Sequence, residues 1–289
     1  MMRNLRVLCA TLLLAIGVST ANAKTLAIGY TNESYQEAAA MIFKIVFERS
    51  GYNVAEKIGS TSTMLHAVAD GEVDVFISAW LPNRDAEDYE ALKDKLILMT
   101  PIYDDARSGF AVPKYMPKSI VENIDDLIKP EVLERINKTI TQDSREKELN
   151  EQTKNASETY SLADQGFATE ALDSDSWFAT VEKRLESKEW FVIPITKPHI
   201  FNLTKNFRFL KDPKGGFHKK DTAWLVANKK TEKEVAEHIY NILLKMEMST
   251  EWVAELQQMI KEKDYPPYVA ARIWMAAHPY TVEYWISGE

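Results

Sequence analysis

Residues 73–82 are Val-Asp-Val-Phe-Ile-Ser-Ala-Trp-Leu-Pro. The apolar run from Val73 to Ala79 predicts a buried β-strand, and Trp80-Leu81-Pro82 marks its carboxyl end. Two similar runs precede it, at Thr25 to Tyr30 and at Tyr52 to Ile58, and a helical pattern separates each run from the next. Because strands alternate with helices, the sequence predicts a mainly parallel sheet flanked by helices, which is the α/β class.

The carboxyl ends of these strands are the expected place for a ligand, because open α/β sheets bind ligands in a crevice beyond those ends. Tyr30 to Tyr35 and Trp80 to Asn83 both follow strands. Trp80 is the strongest candidate, since an aromatic ring attracts quaternary ammonium cations. The alternative is that Trp80 is an edge residue covering the core.

The remainder of the chain continues the pattern. Asp143 or Ser144 is predicted to cap a helix that follows the strand ending at Thr141. Residues from Glu232 onward are predicted to be mostly helical, with breaks at Ser249-Thr250 and Pro266-Pro267. Further strands are predicted at Phe110 to Pro113, Ile136 to Thr141, Trp190 to Ile195 and Thr222 to Ala227, and a further helix at Trp177 to Leu185.

The N-terminus predicts a secretory signal peptide. Arg3 and Arg6 precede an apolar core from Val7 to Val18, and Ala21-Asn22-Ala23 ends the segment with small residues. The apolar core is shorter than the roughly 20 residues that a membrane span needs. Cleavage is expected after Ala23, which gives an exported, periplasmic protein. The alternative is a buried N-terminal helix.

Composition excludes several classes of function. The chain has 289 residues, is 45% hydrophobic, and carries a net charge of -8, which becomes more negative by two when the signal peptide is removed. This charge argues against binding of nucleic acid or of an anionic membrane surface. The one cysteine, Cys9, lies in the signal peptide, so no disulfide or thiolate metal site is expected.

No recognisable catalytic motif is present. The chain lacks the G-x-S-x-G, H-E-x-x-H, G-x-G-x-x-G and Walker patterns, and its five histidines have no metal-ligand spacing. Asp104-Asp105 and Asp173 with Asp175 are close carboxylate pairs, but solvated loop charges explain them. The sequence therefore predicts a protein that is not an enzyme and that needs neither a metal nor a cofactor.

Four groups of short motifs are distributed along the chain in order. They are Gly51-Tyr52-Asn53-Val54; Gly71 to Pro82; Lys197-Pro198-His199 with Phe209 to Lys214; and Ala270 to Trp274 with Pro279 and Val282 to Trp285. Together they resemble the periplasmic binding proteins for glycine betaine, choline and related compounds. The resemblance covers nearly all of Lys24 to Glu289 and is poorest between Lys138 and Leu172.

The resemblance implies a type II-like binding protein with two α/β lobes that close on a ligand between them. Lobe one is expected to comprise residues 24–109 and 209–289, and lobe two residues 110–208. The implied partners are a small-molecule solute and the inner-membrane permease of an ABC importer, and a monomer is expected. The same fold binding an amino acid or a polyamine, and a periplasmic ligand sensor, stay open as alternatives.

Family positions for ligand contact fall on particular residues. The ligand-facing tryptophan corresponds to Trp80, and the Pro-His histidine, which can hold a carboxylate, corresponds to His199. A Gly-rich anion loop corresponds to Asp143, Ser144 and Arg145, although the glycines are absent here.

Two aromatic positions of the family are changed. Thr196 stands where the family usually has a tryptophan, and Glu33, with Tyr35 nearby, stands where another tryptophan usually opens the first helix. Lost aromatic walls and gained charges indicate a small zwitterion or amine, not necessarily a fully methylated betaine.

The remaining candidates would complete a modified site. Tyr35, Phe110 or Trp177 could assist Trp80. Glu33 could pair with a cation that carries N–H donors, and Arg145 could pair with a carboxylate or phosphonate. The alternative for both charged residues is an ordinary surface position near the rim.

Overall fold

The structure is a computed structural model that describes residues 24–204 and 206–287. The predicted signal peptide, including Cys9, lies outside the described residues. Within the described part of the chain, no helix has the length and apolar character needed to cross a bilayer.

Strands and helices alternate through the first half of the chain, and helices dominate after the last strand. The strands are β1 (Thr25–Tyr30), β2 (Asn53–Ile58), β3 (Val75–Leu81), β4 (Leu96–Pro113), β5 (Thr139–Asp143), β6 (Ala168–Leu172), β7 (Ile193–Lys197), β8 (Phe207–Phe209) and β9 (Asp221–Asn228). The α-helices are α1 (Ser34–Arg49), α2 (Thr61–Ala69), α3 (Ala86–Leu92), α4 (Pro130–Leu133), α5 (Lys147–Thr159), α6 (Ser174–Glu186), α7 (Ile200–Thr204), α8 (Thr231–Glu234), α9 (Glu237–Leu243), α10 (Thr250–Glu262), α11 (Pro267–Ala277) and α12 (Pro279–Ser287).

The larger sheet has seven strands in the order β2-β1-β3-β9-β4-β7, with β8 also paired to β4. β1 pairs in parallel with β2 and β3, as the sequence predicts. The pairs of β9 with β3 and β4, and of β4 with β7 and β8, are antiparallel. The α/β class is therefore confirmed, but this sheet is mixed rather than mainly parallel, because the long strand β4 and the returning strand β9 run in opposite directions.

Buried apolar side chains form four clusters that divide along the chain. Two clusters draw on residues 26–106 and 223–285, and the other two draw on residues 110–217. We call the first part lobe one and the second part lobe two. β4 runs through both parts, and β5 and β6 form a separate parallel pair in lobe two. The two-lobed α/β fold thus agrees with the sequence prediction.

One predicted helix cap is wrong. α5 begins at Lys147, and Glu146 occupies its N-cap position, rather than Asp143 or Ser144. The Asp143 carboxylate is engaged locally, because it accepts the backbone N–H of Arg145 and the hydroxyl of Ser174. The chain therefore turns once more before the helix starts.

Candidate functional site

The N-terminus of α1 carries two of the predicted site residues into the interior of lobe one. Glu33 is the N-cap residue of α1, and both Glu33 and Tyr35 are buried. The Tyr35 hydroxyl donates to Oε2 of Glu33, and the backbone N–H of Glu148 donates to Oε1 of Glu33 (3.3 Å). Burial raises the pKa of Glu33 to about 8, and the positive charge of Arg84 opposes this rise.

Trp80 lies at the end of β3, and its ring is against that of Tyr35, with 5.0 Å between centroids. The indole Nε1–H points toward the Ser78 and Tyr103 hydroxyls, at 3.2 and 3.3 Å. Trp80 is only 1% exposed. The strand end therefore places Trp80 where the sequence predicts it, but inside a packed group rather than on an open wall.

Arg84 covers the face of Trp80. Its guanidinium carbon is 4.1 Å from the Trp80 ring centroid, a cation–π contact. Nε and Nη2 each donate to the Asp85 carboxylate at 2.8 Å, and Nη1 donates to the Tyr35 hydroxyl at 2.6 Å. The side chains of Arg84 and Asp85 are each 3% exposed. The contact between an aromatic ring and a cation is thus already made within the chain.

Lobe two contributes a second aromatic group around His199. The His199 ring stacks on Phe178 (6.1 Å between centroids) and meets Trp177 edge-on (5.7 Å). Trp177 is buried, and its Nε1–H donates to the Thr141 carbonyl (3.1 Å). Trp177 therefore supports His199 and does not join Trp80.

His199 is held as a neutral imidazole. Its Nδ1 accepts the backbone N–H of Phe201 (3.1 Å), and burial lowers the pKa of His199 to about 3. Thr196, two residues before the Pro-His pair, is buried, and its hydroxyl donates to the Pro198 carbonyl (2.9 Å). Thr196 thus fixes the turn that leads to His199. Phe110 is likewise buried, with its ring edge-on to Phe217 in lobe two.

The two lobes meet at the N-termini of α1 and α5. The backbone N–H and hydroxyl of Ser34 donate to Oε1 of Glu146 at 3.1 and 2.8 Å. Arg145 reaches across with Nη2, which donates to the Asn32 carbonyl and to the Glu37 carboxylate, both at 2.9 Å. These contacts hold the lobes together at one edge of the cleft.

The predicted anion loop has its backbone donors engaged. The N–H of Ser144 donates to the Leu172 carbonyl (2.8 Å), and the N–H of Arg145 donates to the Asp143 carboxylate (2.9 Å). The Ser144 side chain is exposed, and the Arg145 side chain pairs with Glu37. The arrangement therefore differs from a loop with free N–H groups that could receive a carboxylate.

A cavity of about 210 Å³ lies between the lobes, and we call it the cleft cavity. Its lining combines oxygen acceptors with the rings of Phe178 and His199, and the Lys261 ammonium lies 4.7 Å from the Phe178 ring centroid. Its lining residues are Ser34, Glu37, Gln257, Ile260, Lys261 and Asp264 from lobe one and Asp143, Arg145, Ser174, Asp175, Phe178, His199 and Ile200 from lobe two.

Two buried oxygens at this edge find no hydrogen-bond partner among the described residues. They are Oε1 of Gln257, which lines the cleft cavity, and Oε2 of Glu146. Both side chains are linked to Ser34, whose hydroxyl accepts Nε2–H of Gln257 at 2.8 Å. Buried oxygens normally find donors, so Oε1 of Gln257 is an unsatisfied acceptor at the wall of the cleft cavity.

A second cavity of about 240 Å³ also draws on both lobes. It includes Glu33, Ser60 and Glu148. Burial raises the pKa of Glu148 and of Glu146, so the carboxyls grouped with Glu33 are all shifted toward the protonated form.

The predicted residues thus fall into three places. Glu33, Tyr35 and Trp80 lie together in lobe one, Trp177, Thr196 and His199 lie together in lobe two, and Ser144 and Arg145 lie at the junction.

Sequence reasoning missed Arg84, Glu146, Phe178 and Gln257. Arg84 could have been noticed in the sequence, because it is a cationic residue four positions after the candidate Trp80. For the other three, no local pattern distinguishes them from surface residues. Within the residues described, no group of three or more histidine, cysteine or acidic side chains has the geometry of a metal site.

Comparisons with known proteins agree with this architecture. Residues 24–277 match the family described as the substrate-binding domain of the ABC-type glycine betaine transport system. The glycine betaine/carnitine transport binding protein GbuC of Listeria monocytogenes is 27% identical over 111 residues, which are 38% of this chain and 36% of that protein. The chain thus matches about a third of that relative's length.

Solved structures share the fold. Lactococcal OpuAC, in a closed form complexed with glycine betaine, has a TM-score of 0.76 at 23% identity, covering 91% of this chain and 100% of that chain. The glycine betaine/L-proline-binding protein ProX of Borrelia burgdorferi has the same TM-score of 0.76 and identity of 23%, covering 91% of this chain and 97% of its own. Because the family match spans most of the sequence, the chain belongs to the family of substrate-binding domains of ABC-type glycine betaine transport systems.

Proposed function

We propose that this chain is the periplasmic solute receptor of an ABC importer and that it holds a small cationic or zwitterionic solute in the cleft cavity. The observation that carries the proposal is that both lobes line this cavity, so closure of the lobes would enclose a solute. Its volume of about 210 Å³ suits a small solute.

The charges of the cavity favour a cation with N–H donors. Glu37, Asp143, Asp175 and Asp264 supply four carboxylates, whereas Arg145 and Lys261 supply two positive charges. Arg145 is paired with Glu37, and Lys261 is paired with Asp175 at 2.5 Å. Asp264 and Asp143 form no salt bridge among the described residues, although both oxygens of Asp143 already accept hydrogen bonds from Arg145 and Ser174. Their negative charge and the unpartnered Oε1 of Gln257 favour an ammonium group with N–H donors.

The rings of Phe178 and His199 are the apolar surface that the cavity offers to such a solute, beside the Lys261 ammonium, which lies 4.7 Å from the Phe178 ring centroid. Phe178 and the neutral His199 are stacked, with an interplanar angle of 14°. Neutral imidazole keeps one N–H donor, which could bind the carboxylate of a zwitterion. A buried charge without a partner is unfavourable, so a zwitterion needs contacts at both ends.

No covalent step is required by this function. A solute that binds the closed arrangement more tightly than the open one shifts the population of conformations toward closure. Contacts between the lobes, such as that of Ser34 with Glu146, then stabilise the closed arrangement in addition to the contacts that the solute makes. The closed surface would be recognised by the permease in the inner membrane, and the receptor would act as a monomer without a cofactor or metal and without enzymatic activity.

The proposed lobe boundary follows the core clusters. We propose that the chain crosses to lobe two near residues 109–110, the position that the sequence predicts, because Ala106 packs in a lobe one cluster and Phe110 in a lobe two cluster. The sequence prediction puts the return at about Phe209, but Leu210 and Phe217 pack in a lobe two cluster, whereas Ala223 packs in lobe one. We therefore propose that the chain returns to lobe one between residues 217 and 223.

A thermal-shift screen of the chain beginning at Lys24 tests this function. The screen compares quaternary amines, amino acids and polyamines, and calorimetry follows for the best solute. Phe178→Ala, which removes an aromatic wall of the cavity, should lower the affinity for that solute at least tenfold.

Leu185→Ala is the matched control. Leu185 lies on the same helix, α6, and is partly buried in the same core cluster, but it does not line the cavity. Absence of any stabilising solute, or equal loss of affinity in the two variants, would contradict the proposal.

A further inference from the structure

We infer that Arg84 is a specificity-determining residue, an internal cation that occupies the aromatic cation site of lobe one and excludes quaternary ammonium groups from Trp80. The inference rests on the proposed function, because it concerns which solutes the receptor accepts. It assigns a role to a residue outside the cleft cavity.

The geometry of this site is that of a bound cation. The guanidinium carbon of Arg84 lies 4.1 Å from the Trp80 ring centroid, and Tyr35 closes the group with its ring 5.0 Å from that of Trp80. Three of the guanidinium N–H groups are directed to Asp85 and the Tyr35 hydroxyl, within 2.6 to 2.8 Å. A cation that approaches the same face of Trp80 would have to displace these contacts.

The charges around Arg84 explain why a positive group is retained there. Asp85 is almost completely buried, and its carboxylate also accepts the backbone N–H of Trp80 at 2.6 Å. Removal of Arg84 would leave the buried Asp85 without its ionic partner, which is strongly unfavourable.

The site left by removal of Arg84 would therefore favour an external cation. It would combine the exposed face of Trp80 with the Asp85 carboxylate. Trimethylated ammonium groups have no N–H donors, so ring contact and charge attraction are the interactions available to them. Arg84 thus separates this receptor from one that binds quaternary ammonium against Trp80.

Tetramethylammonium titrated into the full mature chain tests the inference by calorimetry and thermal shift. Arg84→Ala should bind tetramethylammonium at least tenfold more tightly than the wild type, and the double variant Arg84→Ala/Trp80→Leu should lose this gain. Arg84→Lys keeps a positive charge and should behave as the wild type. An Arg84→Ala chain recovered folded only with tetramethylammonium present also supports the inference.

Arg107→Ala is the matched control, because the Arg107 guanidinium carbon lies 4.5 Å from the Phe209 ring centroid. Arg107→Ala should show no gain in affinity for tetramethylammonium. Arg84→Gln, which keeps a donor for Asp85 without the charge, is the second variant. The inference is overturned if neither neutral variant gains affinity, or if wild-type protein binds tetramethylammonium in a way that Trp80→Leu abolishes.

The test is separable from that of the proposed function. Only the tetramethylammonium binding that Trp80→Leu removes reports on the lobe one site, whereas the solute screen and Phe178→Ala probe the cleft cavity. A wild type that binds no solute in the screen would contradict the proposed function and leave the comparison of Arg84 variants interpretable.

Discussion

Ser34 and Glu146 join the two lobes through a doubly donated contact. The backbone N–H and the hydroxyl of Ser34, the first residue of α1, both donate to Oε1 of Glu146, which precedes α5. Helix N-termini have unsatisfied N–H groups, so a carboxylate from the opposite lobe is a favourable partner. The Ser34 hydroxyl is therefore one of the groups that hold the two lobes together, with the Ser34 backbone N–H and the Arg145 side chain.

Ser34→Ala should lower the affinity for the best solute of the screen by about tenfold, because a hydrogen bond to a charged acceptor contributes about 1.5 kcal/mol or more. Calorimetry measures the change. Ser62→Ala is the control, since Ser62 donates to Asp88 within lobe one (2.8 Å). A similar affinity in both variants would show that the Ser34 contact does not assist closure.

Arg145→Ala should reduce affinity by less than about fivefold, because Arg145 pairs with Glu37 in a partly exposed salt bridge and such pairs contribute about 1 kcal/mol or less. The reduction should become smaller as salt is raised. A salt-independent loss of a hundredfold or more would instead indicate direct pairing of Arg145 with an anionic group of the solute.

Trp80→Ala should lower the free energy of unfolding by about 3–5 kcal/mol, as expected for a buried aromatic side chain. Sequence alone predicts that the fold stays intact, with affinity reduced at least tenfold, but the complete burial of Trp80 gives a different expectation. Urea unfolding measures the loss, and Trp80→Phe should show a smaller one. If Trp80→Ala lowered the free energy of unfolding by less than about 1 kcal/mol, the result would contradict the complete burial of Trp80.

Glu33→Gln should flatten the pH dependence of stability between pH 6.5 and 8. The folded-state pKa of Glu33 is about 8, raised chiefly by burial from its usual value of 4.5. In this window the folded state therefore binds more protons than the unfolded state, and the free energy of unfolding falls as pH rises, by at most about 1.4 kcal/mol per pH unit for one proton.

Restricting the comparison to pH 6.5–8 separates the contribution of Glu33 to the pH dependence from that of His199. The pKa of His199 is lowered by burial to about 3 from 6.5, so the contribution of His199 has the opposite sign and is lost as pH falls below 6.5. Urea unfolding at several pH values compares Glu33→Gln with the wild type. Equal slopes above pH 6.5 for wild type and Glu33→Gln would contradict the raised pKa of Glu33.

The first βαβαβ segment was predictable because its patterns are local and periodic. β1 coincides with the predicted strand at Thr25–Tyr30, and the side chain of Ser60 caps α2 by accepting the backbone N–H of Thr63. The first part of β4 was missed, because Pro101 interrupts the apolar run and cannot donate to a strand partner. In the structure, Pro101 lies between register shifts of the β4–β9 pair, where the regular ladder is interrupted.

The site was less predictable because its contacts depend on the folded turn and on distant segments. Arg84 reaches Trp80 because the backbone N–H of Asp85 donates to the Trp80 carbonyl (3.0 Å) and the chain folds back. Ser34 and Glu146 are 112 positions apart in sequence. Apart from the position of Arg84 four residues after Trp80, no local pattern in the sequence indicates these contacts.

A methylation series titrated into the wild-type chain is the most direct test of the proposed ligand class. Glycine, sarcosine, dimethylglycine and glycine betaine have the same carboxylate and differ in the number of N–H donors. Calorimetry should find the tightest binding for a member that keeps N–H donors, with affinity falling at the last methylation. Tight binding of glycine betaine or choline, with no binding of the less-methylated amines, would contradict the proposed ligand class and the acceptor-rich cleft cavity as the ligand site.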